Sequence, residues 1–268
     1  VLILIYFQNS YIFITIMKKK IKKINAAILI IGNEILSGRT QDKNIAFISN
    51  WLNLKCGISV NEVRIVPDIE KTIVNNIRHL SKEFNYVFTT GGIGPTHDDI
   101  TAQSISKAFK TKYEYHKEAY QILEAYYGKK KFNDGRKKMA KMPRGAKLIY
   151  NPSSAAPGFM IKNVLSLPGV PSILNSMIEN CKRYLVKGLK THSKTLNLYT
   201  VESNISKRLG LIQKKYKKSV DIGSYPFFRL GKIGVSIVSR SNSIPKLRRV
   251  NKDLLKLVKI KKIRILKV

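Results

Sequence analysis

Acidic residues are scarce in this chain: 16 Asp and Glu stand against 50 Lys and Arg, a formal net charge of +34 over 268 residues. Cysteine is scarcer still. Cys56 and Cys181 are the only two, far apart and with no histidine beside either. That spacing excludes a cysteine–histidine metal site and a disulfide framework, and both are expected as reduced thiols of a cytoplasmic protein. The one extended apolar run is the first sixteen residues, VLILIYFQNSYIFITI. It falls short of the ~20 residues of a spanning helix, and it lacks the basic start and small-residue cleavage site of a signal peptide. Internal repeats and low-complexity linkers are missing as well.

The basic excess raises polyanion binding as a first thought. Yet 38 of the 50 basic residues are Lys and 12 are Arg, whereas phosphate and base recognition favours the planar Arg fork. The lysines are also spread along the whole chain. This reads as a solvated basic surface, so neither nucleic acid nor membrane is expected as a partner, beyond salt-sensitive attraction of polyanions. The stretch MKKKIKKINAAILIIG reads as the start of the folded chain at Met17, with residues 1–23 an extension outside the fold. A membrane anchor flanked by Lys18–Lys23 is the alternative.

Hydrophobic periodicity supplies the frame. Ala26–Ile31 is a continuous apolar run of the buried-strand kind, and residues 45–56 repeat at helical spacing up to Gly57. Val60–Val66 alternates like a strand, Asp68 is placed to cap a helix reaching about Leu80, Tyr86–Thr90 is a strand, and Ile100–Phe109 a helix. Alternating strands and helices predict an α/β domain with a mostly parallel sheet. Residues 112–142 read as helical, Leu148–Tyr150 and the segments FMI and VLSLPGVP as strands, and Ser172 to about Leu189 as a helix. After KTHSKT the pattern becomes α+β, giving domains at 24–190 and 191–268. In the second, Gly231-Lys232-Ile233-Gly234 has the letters of an RNA-binding G-x-x-G loop. It lies between strand-like segments, so a hairpin turn is the expected use.

The chemistry concentrates in VFTTGGIGPTHDDIT, Val87–Thr101. Gly91, Gly92 and Gly94 let backbone approach a ligand closely, and such turns receive phosphates. Two adjacent carboxylates, Asp98 and Asp99, would repel one. Either could cap the helix after Ile100, which accounts for one of them. A divalent cation, Mg²⁺ or another, held by Asp98 and Asp99 against a phosphorylated ligand accounts for both. A Walker loop is excluded because His97-Asp98-Asp99 stands where GK[ST] is required. The dinucleotide fingerprint fails because His97 takes the place of its third glycine.

TTGGIGPTHDDIT resembles the signature of the molybdopterin-binding (MoaB/Mog-like) domain in the form found in competence/damage-inducible protein A (CinA). GNEILSGRTQDKN, NPSSAAPGF, LPGVPS and IGSYPFF agree in order and spacing, from about Ile24 to the C-terminus. The resemblance implies a three-layer α/β/α domain followed by a small KH-like α+β module. It places Glu34 and Asp42 at the pocket, although Lys43 stands where the family commonly has Thr. It turns the backbone of Ser153, Ser154 and Gly158 toward the ligand, and Thr90, Gly91, Gly92, Gly94, Thr101, Pro168 and Gly169 join the binding set. Ile173 replaces a Glu that many members carry. The chain ends near where the CinA deamidase domain would begin, so nicotinamide mononucleotide deamidation is not expected. The resemblance implies Mg²⁺-dependent hydrolysis of a nucleotide pyrophosphate such as ADP-ribose or FAD, with Glu34, Asp42 and Asp99 as catalytic candidates. The alternatives are molybdopterin binding or adenylylation, and non-enzymatic nucleic-acid binding by residues 191–268. Self-association is expected.

Overall fold

The structure, a computed structural model, describes residues 2–7, 10–15, 23–229 and 231–266. The expected start at Met17 lies outside the described residues. Strands β1 (Leu2–Phe7) and β2 (Ser10–Thr15) pair antiparallel with each other.

Strand β3 (Asn25–Ile31) buries six of its seven residues. Ala27, Leu29 and Ile31 enter one hydrophobic cluster, while Ala26, Ile28 and Ile30 enter another. A strand apolar on both faces has to be covered on both, and the rest of the module does this. The chain continues through a single turn α1 (Asn33–Leu36) and α2 (Asn44–Trp51), whose π-helical extension stops at the left-handed Gly57. Then come β4 (Ser59–Val66), α3 (Glu70–Glu83), β5 (Tyr86–Thr90) and α4 (Thr101–Phe109).

Residues 112–142 depart from the helical expectation. They form β6 (Tyr113–Tyr115), α5 (Lys117–Tyr127), a 3-10 turn, α6 (Asp134–Lys138) and β7 (Lys141–Pro143). Gly128 ends α5, and β6 pairs with β7 from the far side of both helices. Arg144 clips that pairing by donating twice to the Glu114 carboxylate, at 2.8 and 2.7 Å. A pairing of this kind is set by tertiary contact and leaves no local periodicity. Strands β8 (Lys147–Ile149), β9 (Gly158–Ile161) and β10 (Val164–Leu167) follow. The helix expected over 172–189 is shorter: α7 (Pro171–Met177) tightens into 3-10 turns and ends at Tyr184. Arg183 and Tyr184 there donate to the Leu148 carbonyl, at 2.6 and 2.7 Å, tying the chain down on β8.

The six-stranded sheet has the order β4-β3-β5-β10-β9-β8. Its first four strands are mutually parallel, and β9 runs antiparallel to both of its neighbours, β10 and β8. Helices α3, α4 and α5 pack on one face and α2 and α7 on the other, the three layers expected. The chain leaves β3 for β4 on one side and reaches β5 on the other, which puts a switch point beside the carboxyl end of β3. Ligand crevices of open α/β sheets form at such points.

The α+β module comprises β11 (His192–Tyr199), α8 (Glu202–Tyr216), β12 (Asp221–Arg229), β13 (Lys232–Ser241), α9 (Ile244–Ile260) and β14 (Arg264–Ile265). Its antiparallel sheet has the order β12-β13-β11-β14. Both helices cover one face, burying Leu198, Val235 and Ile237 against Ile205, Leu247, Val250 and Leu254. Gly231, at φ 70°, turns the β12–β13 hairpin, since Arg229 pairs with Lys232. Among the described residues no helix is long and apolar enough to cross a membrane.

Candidate ligand cleft

A cleft of about 710 Å³ opens at the carboxyl edge of the parallel strands. Its floor is backbone. Gly91 leaves β5 at φ 97° and donates its N–H to the Leu167 carbonyl at 3.1 Å. A Cβ there would stand 2.1 Å from the Ile31 carbonyl oxygen, so only glycine passes between β3 and β10. Gly92 accepts the Thr101 N–H at 2.9 Å, and a Cβ on it would meet Thr101 Oγ1 at 2.2 Å. Thr101 is fully buried behind this turn and opens α4. Among the described residues its hydroxyl has no partner, and no side chain caps the helix. The positive end of a helix left without a side-chain cap favours a nearby anion.

The rim has the opposite character. Glu34, Asp68, Asp98 and Asp99 line it, four of the chain's sixteen acidic residues. Among the described residues none of the four lies within 4 Å of a basic group. Neither aspartate of the motif caps α4, whose cap position is Ile100. Asp99 folds back instead, accepting from Thr96 N at 2.8 Å and Thr96 Oγ1 at 2.5 Å. Asp98 is exposed, and the nearby Thr96 hydroxyl and its own N–H hold its carboxyl below the ordinary range.

Asp68 also departs from its expected role. The cap position of α3 is Ile69, and Asp68 accepts the Asn33 N–H at 2.9 Å, tying β4 to the turn after β3. Burial pushes its carboxyl up, and Glu34, Asp98 and Asp99 push it further. It is thus a member of the acidic rim that the helix-cap reading hid. Its place after Pro67, at the carboxyl end of a parallel strand, was the available signal.

Of the residues singled out from sequence, Glu34, Gly91, Gly92, Gly94, Asp98, Asp99, Ser154, Pro168 and Gly169 line the cleft. Asp42 does not, because its carboxylate accepts the Ile45 N–H at 2.8 Å at the start of α2. Thr90 is buried in β5 beneath the floor. The N–H groups of Ser153 and Ser154, which the resemblance turns toward a ligand, go to Asn151 Oδ1 at 3.0 and 3.1 Å. Gly158 serves strand contact, since a Cβ on it would lie 2.4 Å from the Ser166 carbonyl oxygen. Asn44 was not anticipated. It donates to the Gly169 carbonyl at 2.7 Å and holds the turn after β10, while its buried Oδ1 has no partner among the described residues. The far wall carries Tyr127, with the Arg136 guanidinium 4.1 Å from the ring centroid. Among the described residues, no group of three or more His, Cys, Asp or Glu side chains is arranged to hold a metal by itself.

Residues 27–188 match the family described as "Probable molybdopterin binding domain". The chain belongs to that family, of MoaB/Mog type. Residues 190–267 match a second family, described as "FAD synthase, middle domain". A protein of Archaeoglobus fulgidus is 34% identical over 199 residues, which cover 74% of this chain and 84% of the relative. A CinA-like protein of Sulfurihydrogenibium sp. is 34% identical over 186 residues, 66% of this chain but 46% of its own length. A solved structure of a CinA protein of unknown function from Thermoplasma acidophilum superposes with a TM-score of 0.56 at 32% identity, covering 60% of this chain and 96% of that one. The MoaB/Mog-type module accounts for the layered sheet, and family membership points to a phosphorylated small molecule as the ligand.

Proposed function

We propose that the cleft binds a phosphorylated small molecule and that the chain hydrolyses a nucleotide pyrophosphate, such as ADP-ribose or FAD, with Mg²⁺ or another divalent cation. One observation carries this reading: a glycine-lined backbone turn of the kind that receives phosphates and a carboxylate rim that has no ion pair among the described residues share one cleft. A metal-bridged phosphate satisfies both. Mg²⁺ commonly takes one or two protein carboxylates and completes its shell with phosphate and water, so the lack of a three-ligand cage fits this mode. Asp98 and Asp99 would hold the cation, which when bound offsets charge on the phosphoryl oxygens.

The chain's own residues do the rest. The turn from Gly92 to Gly94 receives phosphate oxygens, with the positive end of α4 behind it. Glu34 orients a water and takes its proton as the water oxygen joins one phosphorus and the bridging P–O bond breaks. The products are two monophosphates. Asp42 is engaged with α2, which leaves Glu34 as the base. The match of residues 190–267 to the FAD synthase middle domain supports a flavin nucleotide among the substrates. The family match supports the second reading, binding or adenylylation of molybdopterin.

The test is a panel of ADP-ribose, FAD, NAD and molybdopterin, each with and without Mg²⁺, followed by chromatography of products. Asp98→Asn and Asp99→Asn should each lower metal-dependent turnover at least ~100-fold while leaving the protein folded. Full activity in both variants sinks the assignment of the metal to these aspartates. Nucleotidyl transfer to molybdopterin without pyrophosphate hydrolysis would favour the second reading.

A further inference from the structure

A second concavity, about 390 Å³, lies where the two modules meet, and the cleft chemistry makes no use of it. Lys23, Lys217, Lys218 and Arg240 converge on it from three separate stretches of chain. Asp221 is the one carboxylate in its lining, 3.9 Å from Arg240 Nη1, with its side chain 77% exposed. Lysines after the end of α8 complement the carbonyl end of that helix. Lys23, which precedes β3 in the other module, and Arg240, on β13, have no such role. Among the described residues, Lys23, Lys217 and Lys218 form no ion pair. Like charges brought into one concavity repel, and a bound anion removes that cost.

An aromatic ring adjoins the cations. Arg240 Nη1 donates to Tyr225 Oη at 3.1 Å, and the guanidinium carbon lies 5.7 Å from the ring centroid. A Cβ on Gly223 would stand 2.8 Å from the Tyr225 ring, so the ring lies along its own strand over a residue that has no side chain. Tyr225 keeps 46% of its surface exposed. A planar group is thereby offered a flat neighbour one residue away from a cationic pocket.

We propose that this junction pocket binds the phosphate of a nucleotide, with the base stacked on Tyr225 and the phosphate held by Arg240 and the three lysines. The nucleotide is either free or part of a single strand, and the chemistry is shared. Because Lys23 belongs to one module and the other cations to the second, occupancy ties the two together.

Titration calorimetry at about 150 mM salt, where surface charge is largely screened, tests this with AMP, inorganic phosphate and a short oligoadenylate. AMP should bind more tightly than phosphate. Arg240→Gln should weaken both about tenfold. Tyr225→Leu should weaken AMP about tenfold and leave phosphate unchanged. Lys217→Glu with Lys218→Glu should act like Arg240→Gln, and both lysines are exposed, so the fold tolerates the exchange. Lys252→Glu with Lys259→Glu makes the same charge change at exposed positions on α9. If that control weakens AMP as much as the junction pair does, binding reports net charge alone and the proposal fails. It also fails if AMP binding survives Arg240→Gln undiminished, which would place AMP in the cleft. An oligoadenylate that outcompetes AMP and is lost in the same variants identifies a strand. Equal affinity of the two identifies the free nucleotide.

Discussion

In the α+β module each acidic side chain has a partner. Asp253 accepts from Lys215 and Tyr216 at 2.8 and 2.9 Å, Glu202 accepts from Ser224 at 2.6 Å, and Asp221 faces Arg240. At the cleft of the first module, four carboxylates meet with no basic group at ion-pair distance among the described residues. The same division holds for glycines. Gly91 is squeezed between two strands, while Gly231 turns a hairpin with open space around it. The α+β module sets each carboxylate against a donor or cation of its own, while the cleft gathers four carboxylates that, among the described residues, have no cation at ion-pair distance. Gathered like charge costs stability until a cation arrives.

Substitutions that treat the two regions alike test this contrast, and the glycines give the largest effect. Gly91→Ala adds a left-handed strain to a 2.1 Å clash with backbone and should destabilise by about 3 kcal/mol or more. Gly231→Ala carries strain of the same kind without a clash and should cost about 1 kcal/mol. Urea unfolding of both variants measures the gap, and equal losses would mean that the cleft floor is no tighter than an ordinary hairpin.

Buried hydroxyls come next. Among the described residues, Thr101 Oγ1 behind the cleft floor and Ser239 Oγ in the α+β module are both buried without a partner. Removing an unsatisfied polar group relieves its desolvation cost, so Thr101→Val and Ser239→Ala should each be neutral or stabilising by up to about 1 kcal/mol. Thr101→Val should also weaken an anionic cleft ligand about tenfold, and Ser239→Ala should not. Unchanged affinity in both variants would remove Thr101 from the binding set.

What was legible in the sequence follows the same line. The strand Tyr86–Thr90 and the turn after it were readable because glycine spacing and apolar runs are local signals. The antiparallel pairing of Tyr113–Tyr115 with Lys141–Pro143 was not, because strands on either side of two helices choose each other through tertiary contact. Asp68 looked like a helix cap because Asp before a helix usually is one. Its partner, the Asn33 N–H, lies 35 residues away. Asp42 and the backbone of Ser153 and Ser154 were assigned to the ligand by resemblance, while local hydrogen bonds to Ile45 and Asn151 claim them.

The smallest expected effect separates the two kinds of carboxylate by sign. Hydrogen bonding from Lys215, then Tyr216, holds the Asp253 carboxyl below its ordinary value of 3.8. Its contribution to stability is therefore present above the carboxylate range and lost as pH falls through it. Asp68 is the reverse: burial, then the charges of Glu34, Asp98 and Asp99, hold it above 3.8. Ionising it costs more in the folded chain than in the unfolded one, so stability falls as pH rises from the ordinary value through the raised one. At neutral pH Asp253→Asn should destabilise by about 0.5 kcal/mol. Asp68→Asn should instead stabilise, by less than about 1 kcal/mol after solvent screening, because Asn Oδ1 can still accept the Asn33 N–H. Both differences should shrink toward zero once the pH is low enough to protonate the wild-type carboxyls. Urea titrations at neutral and acid pH read both signs. A loss of stability in Asp68→Asn at neutral pH would show that this carboxylate serves the fold, as Asp253 does, and would take it out of the ligand's rim.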